Sequence, residues 1–239
     1  MIKIALASKE FVNGDTADNL QTILNTMLEA KQKGCRLVCF GEAFLQGFDA
    51  LKWRYEEDIN IALPIGGKEI FALKEQSAKL DIDLLAGYIE REGKNIYSSC
   101  LFIEKGKLLH NYRRISKGWK EYSITNGFYK EGNDTSAFTY NGLKAGIALC
   151  GDLWDFPQRF KNAQDILFWP LYVSYTKQEW ENEALLDYAK QAGVVCANVL
   201  MINSLSKEPK SLGGAYYFKG GKIKKALDMG GEGLLIIDL

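Results

Sequence analysis

The sequence predicts an α/β protein in which two mixed sheets pack face to face with helices on the outside. Three observations carry that expectation. Strand-like runs outnumber helical ones, and the two kinds mix along the chain without an internal repeat. Hairpin signals recur at Lys105-Gly106, Asn141-Gly142 and Gly220-Gly221, which asks for antiparallel pairing beside a parallel β-α-β unit. No Gly-rich phosphate loop is present, and so many consecutive hairpins exclude a flavodoxin-like ligand-binding domain.

The elements follow in order. In residues 1–7, Ile2, Ile4 and Leu6 fall on one face and Ala5 and Ala7 on the other, a strand. Asp15 or Thr16 caps a helix carrying Leu20, Ile23, Leu24, Met27 and Leu28 at helical spacing, which ends near Gly34. Residues 36–42 are a buried strand ending in the carboxylate of Glu42. Residues 52–64 lack a period and read as irregular. Gly66-Gly67 precedes a helix through Ile70, Leu73, Ser77 and Leu80, and a strand follows over 82–90. Residues 96–104 and 107–113 form a hairpin. The stretch 115–134 is a long, aromatic, charged loop, and loops of that length tend to carry function. Residues 138–140 and 143–149 make the next hairpin. Then come a short helix over 156–163, a strand over 165–169, and a helix over 177–192 with Trp180, Ala184, Leu185, Tyr188 and Ala189 inward. A buried strand over 194–199 and strands over 214–218, 222–226 and 232–239 close the chain.

Composition narrows the function. The 239 residues are 47% hydrophobic, enough for one domain over 1–239, and no Pro/Gly/Ser-rich linker divides them. Thirty basic and thirty acidic residues cancel, with no basic stripe to bind nucleic acid. No apolar run approaches membrane-spanning length, and the N-terminus reads as too short for a signal peptide, so a cytoplasmic protein is expected. Cysteines 35, 39, 100, 150 and 196 form no CxxC pair, which speaks against a zinc site or disulfide framework. No metal or cofactor is expected. The single histidine, His110, lies in a strand and reads as structural. A cysteine nucleophile in this chain therefore needs a carboxylate or lysine as its base.

That nucleophile is Cys150. It ends the strand over 143–149 and precedes a helix start, where backbone N–H groups and the helix dipole favour a thiolate. Gly151, without a Cβ, lets a carbonyl approach the N–H that follows the thiol. The alternative is one more buried, inert side chain. Glu42, at a strand end among Ala43, Phe44 and Leu45, is the candidate base.

Taken together, Gly41-Glu42-Ala-Phe, Tyr112-Arg113-Arg114, Leu149-Cys150-Gly-Asp152-Leu-Trp-Asp-Phe-Pro157, Phe168-Trp-Pro170, Val194-Val-Cys-Ala-Asn198 and Leu234-Leu-Ile-Ile-Asp238 resemble the nitrilase superfamily of carbon–nitrogen hydrolases over nearly the whole chain. The resemblance implies a four-layer αββα sandwich that pairs into a homodimer or higher homo-oligomer. It also implies a catalytic glutamate, lysine and cysteine. Glu42 matches the general base and Cys150 the nucleophile. The lysine position is Arg114 here. Lys120 keeps the parity of Arg114 and is the favoured substitute, with Lys117 retained and Arg114 itself as the alternative. Glu121 resembles an acidic residue that orients lysine or substrate. Gly151 replaces a frequent aromatic and completes the oxyanion hole, and Trp154 and Tyr172 are candidate substrate contacts. The expected function is thiol-dependent hydrolysis of a small linear amide or carbamoyl compound. The alternative is a catalytically silent dimeric binding or regulatory module, motivated by the altered lysine position.

Overall fold

In a computed structural model, which describes residues 2–161, 163–206 and 210–239, the chain is built from two six-stranded sheets. The strands are β1 (Lys3–Ser8), β2 (Glu10–Phe11), β3 (Leu37–Cys39), β4 (Asp83–Glu92), β5 (Asn95–Glu104), β6 (Lys107–Arg113), β7 (Phe138–Tyr140), β8 (Leu143–Ile147), β9 (Ile166–Leu171), β10 (Asn198–Asn203), β11 (Leu205–Ser206), β12 (Ala215–Lys219), β13 (Lys222–Leu227) and β14 (Gly233–Asp238). One sheet runs β14-β1-β3-β4-β5-β6 and the other β13-β12-β10-β9-β8-β7; β11 and β2 pair as a small third sheet. Both large sheets are mixed. Their parallel strands, β1-β3-β4 and β8-β9-β10, lie inside antiparallel neighbours.

The period of β1 shows why the layers stack. Ile4 and Leu6 join Leu37, Leu85, Phe102, Ile147, Leu149 and Phe168 in a core between the sheets. Ala5 and Ala7 face the other way, into a core with Ile23, Met27, Ile70 and Leu73 of the outer helices. Those helices are α1 (Thr16–Gln32) and α3 (Lys68–Leu80). The Asp15 carboxylate caps α1 by accepting from Asp18 N. On the other sheet, a helical stretch runs through α5 (Lys177–Glu179), a π-helical turn over Trp180–Ala184, and α6 (Leu185–Val195). Its Trp180, Tyr188, Ala189 and Ala192 are buried. The expected αββα sandwich is the observed one. No helix among the described residues is long and apolar enough to cross a membrane.

Three expectations need correction. The irregular stretch 52–64 contains helix α2 (Tyr55–Ile61), nucleated by Glu56, Glu57 and Asp58 in its first turn. The helix expected over 156–163 starts earlier, as α4 (Asp152–Asp155), and breaks at Phe156; Pro157–Arg159 forms one 3₁₀ turn, and Asn162 lies outside the described residues. The strand expected over 194–199 begins only at Asn198, because α6 continues to Val195. The apolar run Val194-Val-Cys is helix end, with Cys196 its extended C-cap. Met1 of the first strand also lies outside the described residues.

Phe102 sits at the centre of the inter-sheet core, with ring centroids 5.8 Å from Phe168 and 4.8 Å from Tyr140. Phe102→Ala is expected to lower unfolding free energy by about 3–5 kcal/mol. Urea denaturation checks this, and a loss below about 1 kcal/mol would show that the sheets do not depend on this contact.

Candidate active site

Three chain segments meet at the carboxyl ends of the inner strands. The first follows β3. Phe40 N donates to Leu85 O (2.9 Å), Glu42 N to Leu171 O of β9 (3.1 Å), and Ser204 Oγ to Glu42 O (3.0 Å). A Cβ on Gly41 would collide with Ser204, so glycine is needed where the two sheets' loops cross. These bonds hold Glu42 fully buried. Its Oε1 accepts from Ser98 Oγ (2.7 Å) and Arg114 Nη1 (2.9 Å), while Oε2 has no partner among the described residues.

The second segment follows β6. Arg114 N donates to Ser98 O (2.9 Å), which extends the β5-β6 pairing by one residue and turns the side chain inward. The guanidinium is 3% exposed. Its Nε donates to Ser116 Oγ (2.7 Å) and its Nη1 to Glu42. Burial works to lower its pKa, but Glu42, the Cys150 sulfur and Asp152 raise it further, and the net shift is upward.

The third segment is the turn after β8. Cys150 N donates to Pro170 O (3.0 Å) and Asp152 N to Leu149 O (2.9 Å), and the Gly151 N–H between them has no acceptor among the described residues. Cys150 has φ 39, a left-handed conformation unusual for a residue with a Cβ. Its Sγ lies 3.8 Å from Tyr172 O. Asp152 fixes the turn to the second segment. Its buried carboxylate accepts from Tyr112 Oη (2.6 Å), Ile115 N (3.1 Å), Ser116 N (2.7 Å) and Leu149 N (2.8 Å).

The residues picked from sequence are thus divided. Glu42, Cys150 and Gly151 come together with Arg114. Lys120 does not join them. Its ammonium pairs with Glu131 at 2.7 Å, donates to Tyr129 O, and lies 5.0 Å from the Tyr122 ring, bracing the loop. Strand parity with Arg114 does not bring Lys120 to the site, because residues 115–134 are a loop, where alternation of faces does not apply. Lys117 and Glu121 are exposed. Tyr172 presents its carbonyl to Cys150 and sends its hydroxyl to Asp49. Trp154 packs on Trp169 and Tyr188 beside a cleft. Ser98, Ser116 and Asp152 join the site without having been expected there. Asp152 was legible as the acid two residues past the cysteine, and Ser98 as a hydroxyl in an otherwise apolar strand. His110 stacks on Phe138 at 4.8 Å, and burial lowers its pKa, consistent with a structural role.

The position expected to favour a thiolate does the reverse. Burial pushes the Cys150 thiol up to about 11; Arg114 pulls it down, and Glu42 and Asp152 push it up. The helix that follows has only four residues, too short for its dipole to offset desolvation.

This two-sheet sandwich, with its site at the strand ends, has the nitrilase fold. The chain belongs to the carbon–nitrogen hydrolase family, whose profile matches residues 3–199. Among curated relatives, a glutamine-dependent NAD(+) synthetase of Thermotoga maritima is 23% identical over 64% of this chain and 26% of its own length. Nitrilase 3 of Arabidopsis thaliana is 25% identical over 62% of this chain and 47% of its own. The chain therefore spans half or less of these relatives. Among solved structures, the glutamine-dependent NAD+ synthetase of Acinetobacter baumannii superposes with TM-score 0.78 at 21% identity, covering 98% of this chain and 45% of that one. An amidase of the nitrilase superfamily from Nesterenkonia gives TM-score 0.77 at 16% identity, covering 100% and 90%.

Of the five cysteines, Cys150 alone is partly exposed; the other four are buried. It should be the first alkylated by iodoacetamide. Below its pKa the thiolate fraction grows about tenfold per pH unit, so the rate should climb with pH and flatten only near 11. Mass mapping after brief treatment at several pH values tests both statements. A plateau already reached at neutral pH would show a thiolate held by the site.

Proposed function

We propose that the chain is a thiol-dependent hydrolase of a small linear amide or carbamoyl compound, with Cys150 as nucleophile, Glu42 as base and Arg114 as the oxyanion cation. The observation that carries this reading is the Arg114–Glu42 contact at 2.9 Å beside Cys150. In the first step, Glu42 takes the Cys150 proton as sulfur attacks the carbonyl carbon. The oxyanion faces Arg114 and the Gly151 N–H, two donors that gain strength as charge develops. The C–N bond then breaks, and the amine or ammonia leaves with a proton. Arg114 stays charged, with its pKa raised, so Glu42 must return that proton. Water attacks the thioester with Glu42 again as base, and the acid is released from a restored thiol. The unpartnered Oε2 is the atom free to carry the proton.

The comparisons support this reading at one remove. In a solved structure of a glutamate-to-glutamine mutant of the Nesterenkonia amidase, the acetamide moiety of fluoroacetamide is covalently added at the active-site cysteine. Glutamine belongs among the trial substrates because two similar proteins are glutamine-dependent synthetases. A homodimer in the cytoplasm is part of the proposal; apolar Trp154, Tyr175 and Val194 are exposed and line one cleft, as a partner surface requires. A second reading, a silent binding module, is favoured by the high Cys150 pKa and by arginine at the cation position.

Glu42→Gln should lower turnover by about 10²–10⁴-fold on any amide that the unaltered protein hydrolyses. It also leaves a buried arginine without its carboxylate, so the melting temperature should fall; circular dichroism at the assay temperature establishes that the variant is folded. Unchanged turnover would remove Glu42 from the mechanism. Absence of hydrolysis and of any acyl adduct at Cys150, across short amides, carbamoyl compounds and glutamine, would favour the silent module.

The cation is tested in parallel. Lys117→Ala and Lys120→Ala should both keep turnover, whereas Arg114→Ala should lose about 2.7–4 kcal/mol of transition-state stabilisation. Melting curves separate this loss from unfolding. A dead Lys120→Ala variant that remains folded would return the role to the lysine.

A further inference from the structure

Gly151 stands at φ −66, ψ −9, a helical conformation open to any L-residue, so the backbone there does not demand glycine. Space does. A Cβ at this position would lie 2.9 Å from Arg114 Nη2 and 3.2 Å from Ser116 Oγ. Nη2 is the end of a flexible side chain, but this end has little freedom. The guanidinium is 3% exposed, its Nε is bound to Ser116 and its Nη1 to Glu42. Nη2 also borders Gly118, where an added Cβ would lie 3.5 Å away. The guanidinium is planar, so Nη2 cannot move aside without turning Nη1 off Glu42 or Nε off Ser116.

We infer that Gly151 is a positioning residue: its missing side chain is the slot that holds the Arg114 guanidinium against Glu42 and beside the Cys150 turn. This deepens the proposed mechanism and rests on it only where turnover is the readout. The slot suits a branched cation. A lysine at 114 ends at the atom corresponding to the arginine Cζ and has no Nη branches, so it leaves a Cβ at 151 uncontested. Positions 114 and 151 therefore form one coupled choice. Arginine requires glycine, and lysine tolerates a side chain.

The coupling can be read at the Cys150 sulfur. The groups facing it are Arg114 from the end of β6, Glu42 from the loop after β3, Asp152 from α4 and Tyr188 from α6. Arg114 is the only cation among these four. Pushing it aside removes the one charge that favours the thiolate and leaves the two carboxylates in place.

The test uses Gly151→Ala, Arg114→Lys and the double variant, each with a melting curve and a pH profile of iodoacetamide alkylation mass-mapped to Cys150. Gly151→Ala should slow alkylation at pH 8 about tenfold and move the profile to higher pH by about one unit. In the Arg114→Lys background the same alanine should change the rate less than about twofold. Where an amide is turned over, Gly151→Ala should lower kcat with KM little changed. A wild-type profile in Gly151→Ala overturns the inference. Equal slowing in both backgrounds also overturns it, since the methyl would then merely crowd the thiol. If Gly151→Ala fails to fold, a folded double variant supports the slot and an unfolded one overturns it. A protein that hydrolyses no amide yet shows the background-dependent shift would sink the enzyme reading and leave this inference standing.

Discussion

Four donors converge on the buried carboxylate of Asp152, and the geometry of the site depends on them. Two come from the backbone of Ile115 and Ser116, just past Arg114; one comes from Leu149, just before Cys150; the fourth is the Tyr112 hydroxyl. A single side chain thus ties the end of an outer strand in one sheet to the turn after an inner strand in the other. A carboxylate with this many donors is well satisfied despite full burial. Loss of one acceptor oxygen would leave backbone N–H groups unpaired in the interior, which costs more than the bond itself contributes. Asp152 therefore shapes the candidate site by fixing where Arg114 and Cys150 stand.

The Glu42–Arg114 pair gives the site its electrostatic character. A buried ion pair offers little net stability, because desolvation offsets most of the attraction. Its value lies in the field it creates. At the Cys150 sulfur the arginine favours the thiolate and the glutamate opposes it, so much of the effect of each is cancelled by the other. Burial is then left to decide, and the resting thiol stays protonated. A thiol of that kind is inert until a neighbour takes its proton as the substrate arrives, which suits a carboxylate with one oxygen held and the other free. An arginine cannot share in proton traffic, so in the proposed mechanism the glutamate alone is assigned it in both half-reactions.

Much of this was legible in the chain. The alternation in the first strand, the Lys105-Gly106 and Asn141-Gly142 turns, and the strand-to-helix position of Cys150 each rest on local geometry, and local geometry is what sequence pattern encodes. The structure bears out these elements of the fold. The α2 helix was hidden because its seven residues are too few to show a period. The continuation of α6 through Val194 and Val195 was hidden because β-branched residues suggest a strand, and tertiary packing overrode that preference. The place of the cation could not be read from spacing within a loop. Yet two departures from the family pattern, arginine for lysine at 114 and glycine for an aromatic at 151, were visible as separate oddities. Only the 2.9 Å approach of an added Cβ to Nη2 shows that they are one feature.

The two sheets share a further relation that the sequence does not display. Read from β14 in one sheet and from β7 in the other, the pairings follow the same order: antiparallel, parallel, parallel, antiparallel, antiparallel. In this correspondence β8, which ends three residues before Cys150, matches β1, which ends at Ser8. The equivalent of the loop carrying Glu42 is the loop that begins at Tyr172. Backbone hydrogen bonding constrains the order of pairings but leaves the side chains free to differ, so the halves need share no motif. They have diverged in use. Ser8 is buried, and its hydroxyl donates to Gly231 O and accepts from Gly214 N, a role confined to joining strands. The second half supplies the thiol and the first supplies the glutamate and the arginine, and they meet where Glu42 N reaches Leu171 O. Neither sheet holds the set alone, so the candidate site exists only because the two layers pack, and the inter-sheet core positions these residues as much as it holds the fold.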